Sequence, residues 1–391
     1  MTTAPDDMRI NGPWLTDPAA GKVMDALGRG GASAFFVGGC VRNTLLGVPV
    51  GDIDIATDAL PDRVIDLSQE AGLKPVATGL EHGTITVVAD GIPHEVTTFR
   101  KDVQTDGRRA VVAFSDSLTE DARRRDFTMN ALYADRAGRI MDPVGGLADL
   151  KKRQFRFIGD AHQRIREDYL RILRLFRFHA WYGDPAAGID AQALAAAAEL
   201  ADGLAQLSHE RIGAEVTRLL SAPDPAPAVA SMQQAGILQR VLPGADGRNL
   251  ALLVHHEMTV GAAPDPMRRM ALLADEEASS GLRLSRADAR RHALLRDAAA
   301  QGEGVAVMAY RHGAQAALDA VLLRAAMLEA PLPDGLDKAL ERGGRARLPV
   351  SAQDLMPAYQ GAALGARLRV LEDAWIASGF ALDRAALLDL P

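Results

Sequence analysis

The chain has 391 residues, 48% hydrophobic and 24% charged, and carries a formal net charge of −7. This is ordinary globular material, and the length predicts two to four domains. It excludes a disulfide-stapled scaffold, because the single cysteine, Cys40, has no partner in the chain, and a helical membrane protein, because no run of 18 apolar residues occurs. The first stretch, MTTAPDDMRINGPWL, has neither a basic n-region nor an apolar h-region, so the expectation is a cytoplasmic protein without a signal peptide.

The chain begins with short β-like runs alternating with helical ones. SAFFVGG and DIDIAT are apolar and bounded by turn residues; TITVVAD and PHEVTTFR follow the turns at Gly83 and Asp90-Gly91. PDRVIDLSQEAG between them reads as a helix, with Pro61 early and Gly72 past its end. From about residue 160 the strand signals fade. AHQRIREDYLRILRLFRFHAWYG, LSHERIGAEVTRLLSA, APAVASMQQAGILQRVL and DPMRRMALLADEE all carry helical periodicity. The expected fold class is α+β: a small mixed α/β head (residues 1–158), an all-α neck (159–222) and an all-α body and tail (223–391).

Residues 37–57, VGGCVRNTLLGVPVGDIDIAT, concentrate the chemistry. Side chains alternate along a strand, so Asp52 and Asp54 share one face while Ile53 and Ile55 anchor the other. Carboxylates that close repel unless a cation lies between them, and Mg²⁺ takes one or two carboxylates together with substrate phosphate oxygens. Alone, D-x-D is as compatible with an ordinary surface turn. The upstream Gly38 and Gly39 let a backbone approach a phosphate at a helix start, and Arg42 stands one turn into that helix. The P-loop pattern G-x-x-x-x-G-K-[ST] is absent. Residues 151–180 hold nine Lys/Arg against three Asp/Glu, which suits polyphosphate or RNA backbone, or else a solvated helix face.

VGGCVRNTLLG followed by DIDIAT resembles the head of class II nucleotidyltransferases of the polymerase-β superfamily. TEDARRRDFTMNALYAD is similar to that family's Arg-Arg-Asp motif and MDPVGGLADL to its following acidic turn. REDYLRILRLFRF carries the E-D-x-x-R pattern at Glu167, Asp168 and Arg171, and SHERIGAEVTRLL resembles the neck motif. The motifs stand in the family's order over roughly residues 30–220. HGTITVV, EVTTFRKD and the basic loop DGRRAVVAFSDSLTED resemble the tRNA nucleotidyltransferases, or CCA-adding enzymes, more than the poly(A) polymerases.

The resemblance implies template-independent addition of CMP, CMP and AMP to the acceptor end of tRNA from CTP and ATP. It gives Asp52 and Asp54 two Mg²⁺ ions, Gly38, Gly39 and Arg42 the triphosphate, and Arg125 and Asp126 the phosphate and sugar of the nucleotide. Asp168, Arg171, Arg174 and Arg177 recur every third residue, so as one helix they form a slowly drifting stripe whose acceptor and donors can pair with a base edge. A helix salt bridge is the plainer reading of that stripe. The loop from Arg100 to Ser117 is the segment expected to move, and its length argues against a CC-only enzyme. A poly(A) polymerase or partial CC- or A-adding enzyme, and more remotely a non-catalytic RNA-binding protein, remain alternatives.

Other residues read differently. Glu95 is either a third active-site carboxylate or a solvated strand residue, with the latter expected. Cys40 reads as packing and His209 as a surface or capping residue. His255, His256 and Glu257 are adjacent on a helix and do not share a face, so no metal site is expected there. Arg268, Arg269, Arg283, Arg286, Arg290 and Arg291 are either an RNA face or ordinary solvation. No membrane partner is expected.

Overall fold

The computed structural model describes residues 8–105 and 110–391, excepting the side chains of 102–112 and 278. The chain forms two compact units, Met1–Pro243 and Gly244–Pro391. No helix among the described residues is long and apolar enough to cross a membrane.

The first unit opens with α1 (Pro18–Arg29), capped by the Asp17 carboxylate, which accepts from the amides of Ala19 and Ala20. Next come β1 (Ala34–Val37), α2 (Gly39–Leu46), β2 (Asp54–Thr57), α3 (Pro61–Glu70), β3 (Lys74–Gly79), β4 (Thr84–Ala89) and β5 (Ile92–Thr98). After the hairpin strands β6 (Arg100–Thr105) and β7 (Ala110–Phe114) come α4 (Leu118–Arg124), β8 (Tyr133–Ala134), β9 (Ile140–Met141) and α5 (Gly146–Lys151). One seven-stranded sheet runs in the order β3-β4-β5-β2-β1-β8-β9, with β6-β7 as a separate ribbon. All neighbours in the large sheet are antiparallel except β2 and β5. The β-runs read from the sequence became β1, β2, β4 and β5. The alternation of TITVVA survives as strict in-out burial along β4. β8 and β9 span two residues each, too short for any periodicity to reveal. The loop expected to move is, where described, the β6-β7 ribbon; residues 106–109 at its centre lie outside the described residues.

Under α1, His94 on β5 is buried and its Nε2 has no hydrogen-bond partner. Burial pulls its pKa below the usual 6.5, against a smaller opposing effect of Asp17. The unfolded chain therefore takes up a proton first as pH falls. Stability is fully present above about pH 6.5 and is lost as pH drops from there towards the folded value. His94→Leu is expected to flatten the decline of melting temperature between pH 7.5 and 5; an unchanged slope counts against the assignment.

The segment read as one helix over 161–183 is two: α6 (Ala161–Glu167) and α7 (Leu170–Tyr182). Asp168 between them is extended, at φ −156° and ψ 105°. Its carboxylate accepts from the amide of Leu170 at 3.1 Å and its carbonyl from the amide of Arg171 at 3.0 Å. A short acidic side chain here competes for backbone donors and breaks the helix. α8 (Ala191–Glu199), α9 (His209–Leu220), α10 (Ala226–Gln234) and α11 (Leu238–Val241) complete the unit, and α7 packs along α9. Phe127, Phe155, Phe157, Phe178 and Tyr182 form a connected set of ring contacts that fastens α7 beside the segment after α4.

The second unit is helical throughout. Its core joins α12 (Leu250–Thr259), α13 (Pro266–Leu273), α14 (Glu276–Ser280), α15 (Arg286–Gln301), α16 (Val305–His312), α17 (Ala314–Met327) and α18 (Leu336–Arg345). A separate apolar cluster around Leu371 and Trp375 closes its C-terminal end. Two of the arginines read as RNA face or solvation are neither: Arg268 and Arg269 are each 1% exposed. Arg268 donates to Glu257 at 2.9 Å, to Asp319 at 2.6 Å and to the carbonyl of Ala263 at 2.7 Å, while Arg269 donates to the other Glu257 oxygen at 2.7 Å. Arg283, Arg286 and Arg290 are exposed, which suits an RNA face and ordinary solvation alike. Glu257 thus serves an internal charge network, and no group of three metal-ligating side chains occurs among the described residues.

Candidate active site

The sheet register lays out the site. Val37, the last residue of β1, pairs with Asp54, the first of β2, and Asp54 pairs on its other side with Glu95 of β5. Asp52 lies just before the strand, which starts later than the sequence suggested. Burial raises the Asp54 pKa, with Glu95 and then Asp52 adding to the effect and Arg125 opposing it. Glu95 itself is exposed on its strand, as expected, yet its charge bears on Asp54. A raised carboxylate pKa beside further carboxylates marks a site that gains from a bound cation.

The β1 strand turns into α2 at Gly38, which has φ +73° and ψ −115°. A Cβ there would meet the Asn130 carbonyl oxygen at 3.6 Å, an ordinary contact, so conformation rather than space demands glycine. Gly38→Ala is expected to cost about 1–3 kcal/mol, seen as a melting temperature lowered by several degrees. A variant melting like the parent would sink this account. Cys40 is buried, and burial pushes its thiol up to about 11, which fits packing and not thiol chemistry.

Arg42, on α2, is 5% exposed. Its Nη1 donates to the Asn130 amide oxygen, and its Nε and Nη2 donate to Asn43 Oδ1 at 3.1 and 2.9 Å. The guanidinium lies 4.1 Å from the centre of the Tyr182 ring and 5.2 Å from that of Phe178. No carboxylate among the described residues forms an ion pair with it. Burial lowers its pKa.

α4, capped by Ser117, delivers Arg124 and Arg125. Both are held by Asp121, at 3.0 and 2.9 Å, and the Tyr133 hydroxyl donates to the same carboxylate at 2.7 Å. Burial alone would raise the Asp121 pKa, but Arg125, Arg124 and Tyr133 outweigh it and hold it at about 2. Asp126 accepts from Arg174 at 2.6 Å and from the Asn130 amide at 3.0 Å. Against burial, those partners hold it at about 2 as well.

α7 carries Arg171, Arg174 and Arg177 as a stripe; Asp168 precedes the helix instead of opening it. Arg171 uses one nitrogen, Nη1, for both Glu167 and the Arg164 carbonyl, each at 2.6 Å. Arg177 donates to Glu215 of α9 at 2.6 Å, and Arg211 of α9 donates to Asp168 at 2.8 Å. His209 opens α9 as an exposed residue, with Ser208 as its cap.

These parts surround one cleft of about 640 Å³. The residues that the resemblance assigned to metal or nucleotide all line it: Gly38, Gly39, Arg42, Asp52, Asp54, Arg125, Asp126, Asp168, Arg171, Arg174 and Arg177; Glu95 and Glu167 do not. Sequence reading missed Arg100, Arg124, Asn130, Arg211 and Arg218 in the lining, and Asp121 and Glu215 behind it. Nine arginines face four aspartates there, so the cleft suits a polyanion despite the negative chain.

A mixed sheet with a glycine turn beside an acidic strand start, backed by an arginine-bearing helical neck, defines a nucleotidyltransferase head, a class that works with divalent metal ions. The family profile for the poly A polymerase head domain matches residues 34–156, and one described as the probable RNA and SrmB-binding site of polymerase A matches residues 188–247. The crystal structure of the Bacillus stearothermophilus CCA-adding enzyme in complex with CTP superimposes with a TM-score of 0.78 and 30% identity over 94% of each chain. The chain belongs to this family of poly(A) polymerase-type tRNA nucleotidyltransferases, the CCA-adding enzymes. It is 44% identical over 224 residues to the CCA-adding enzyme of Geobacillus thermodenitrificans, 57% of this chain and 54% of that one. It is 45% identical over 184 residues to the human mitochondrial CCA tRNA nucleotidyltransferase 1, 47% of this chain and 42% of that one. By these matches the chain spans about half the length of its curated relatives.

Proposed function

We propose that the protein adds CMP, CMP and AMP to the 3′ end of tRNA from CTP and ATP, releasing pyrophosphate. The observation that carries this reading is the single cleft in which the Asp52–Asp54 pair, the Gly38–Gly39 turn with Arg42 and the α7 arginines meet. Likeness over nearly the full chain to an enzyme solved with CTP supports it.

In this reading the 3′-hydroxyl oxygen bonds to the α-phosphorus, the bond to the pyrophosphate oxygen breaks, and the hydroxyl proton passes to solvent. Asp52 and Asp54 would hold Mg²⁺; two oxygen-donor carboxylates beside a phosphate-accepting cleft fit that ion. When bound, it supplies charge neutralisation on the triphosphate and lowers the pKa of the attacking hydroxyl. Gly38 and Gly39 admit the triphosphate close to the backbone, and Arg42 meets it with a guanidinium that forms no ion pair among the described residues. Arg125 and Asp126 face the phosphate and sugar. Asp168 accepts from the exocyclic amino group that cytosine and adenine share, while Arg171, with Nε and Nη2 clear of its two internal bonds, donates to the ring. Arg174 and Arg177 add donors and charge along the same face. The division of labour follows the boundaries 1–158, 159–222 and 223–391: catalysis, base recognition, and grip on the tRNA through shape and phosphate contacts.

The test is incubation with Mg²⁺, labelled CTP and ATP, and a tRNA ending at the discriminator base. Growth by three nucleotides is expected. Arrest after two C residues or after a lone A means a partial enzyme, a long A run means a poly(A) polymerase, and no growth with RNA retention means a non-catalytic binder.

A further inference from the structure

The cleft residue that links two of the expected nucleotide-handling groups, Arg42 and Asp126, is Asn130. It ends the 3-10 turn Thr128–Asn130 after α4 and is 7% exposed. Its amide oxygen accepts from Arg42 and its amide nitrogen donates to Asp126 at 3.0 Å. The charge pattern alone assigns the amide: a guanidinium can only be faced by the oxygen and a carboxylate accepting a bond only by the nitrogen. Asp126 in turn binds Arg174 of α7. A continuous chain thus runs from Arg42 on the head helix, through Asn130 and Asp126, to the neck helix.

Arg42 needs such a support. The other arginines of the expected set, Arg125, Arg171, Arg174 and Arg177, each have a carboxylate to fix their orientation. A carboxylate on Arg42 would cancel the charge that a triphosphate requires. Amide oxygens can aim a guanidinium without neutralising it, and the Asn43 and Asn130 oxygens do so from two sides. Asn43 is the adjacent residue on the same helix. Asn130, 88 positions away, is the one of the two that ties the guanidinium to another element.

We propose that Asn130 is a positioning residue that aims Arg42 at the nucleotide's triphosphate and holds that aim against the neck through Asp126. The inference rests on the nucleotidyl-transfer reading above and goes beyond it. It makes the triphosphate grip, which CTP and ATP share, depend on a side chain that need not touch either.

The test is a double-mutant cycle in the full chain. Asn130→Leu keeps the volume and removes both hydrogen bonds. It is expected to raise KM for CTP and for ATP by a common factor of about tenfold or more, because bonds to charged groups are lost, with kcat changed much less. In an Arg42→Ala background the same substitution is expected to add little further rise in KM, since the group it positions is gone. A generally loosened fold would instead multiply the two effects. A folded Asn130→Leu protein with both KM values within twofold of the parent, or one whose effect persists in full without Arg42, overturns the proposal. Should the leucine variant fail to fold, Asn130→Ser goes through the same cycle, where the same results support or overturn it. The parent's own transfer assay runs alongside: a parent that adds no nucleotide defeats the nucleotidyl-transfer reading itself, whereas an active parent with a silent Asn130→Leu defeats only this inference.

Discussion

Asp52→Ala and Asp54→Ala are each expected to slow CMP transfer to a tRNA lacking its 3′ end by at least about a thousandfold, the loss that removing several kcal/mol of metal-borne charge stabilisation brings. Stability should not follow activity. Asp54 sits in a row where burial, Glu95 and Asp52 all disfavour its charged form, so alanine there relieves repulsion. The melting temperature without metal is therefore expected to hold or to rise. Nucleotide binding should weaken less than turnover, because the cleft arginines remain in place. Filter binding of labelled CTP beside the transfer assay separates the two. A variant that keeps a tenth of parental activity would remove Asp52 and Asp54 from the reaction.

The second large effect lies in the second unit, at a residue that does not line the cleft. Glu257 is 2% exposed and accepts from both Arg268 and Arg269. Glu257→Ala leaves two buried guanidinium groups short of a counter-charge, an imbalance that typically costs about 3–5 kcal/mol. Asp319, which pairs with Arg268 and Arg291, retains part of the compensation and sets the lower end of that range. Urea unfolding of parent and variant measures it, and a loss below about 1 kcal/mol would show that water or relaxation satisfies the arginines.

The contrast between these sites explains what the sequence made legible. The acidic pair, the double glycine and the arginine stripe are local patterns, and short-range geometry alone predicts their shared faces. The structure places all of them on one cleft. Asn130 and Glu215 were opaque for the opposite reason: each reaches a partner on another element, and no spacing encodes that reach, whereas Asp121 holds Arg124 and Arg125 three and four residues on, a helical spacing that was open to reading. Asn130 lay in plain view four residues after Asp126, but an asparagine in a short turn usually serves its own backbone. Arg268 and Arg269 misled because an arginine pair reads as surface until a buried carboxylate is known to face it. Asp168 was placed on α7 by its spacing, while its own carboxylate, bonded to the Leu170 amide, stopped the helix there.

The lone parallel pairing in the sheet has a consequence for the order of assembly. β2 and β5 lie side by side, yet between them the chain makes α3, β3 and β4, while β1 waits for β8 from far downstream. A chain emerging from the ribosome can form the β4-β5 hairpin locally, but the row Val37, Asp54 and Glu95 closes only after that long crossover returns. The β1-β2 pairing that brings the glycine turn to Asp54 forms from neighbouring segments, whereas Glu95, whose charge bears on Asp54, joins the row only through the non-local pairing with β5.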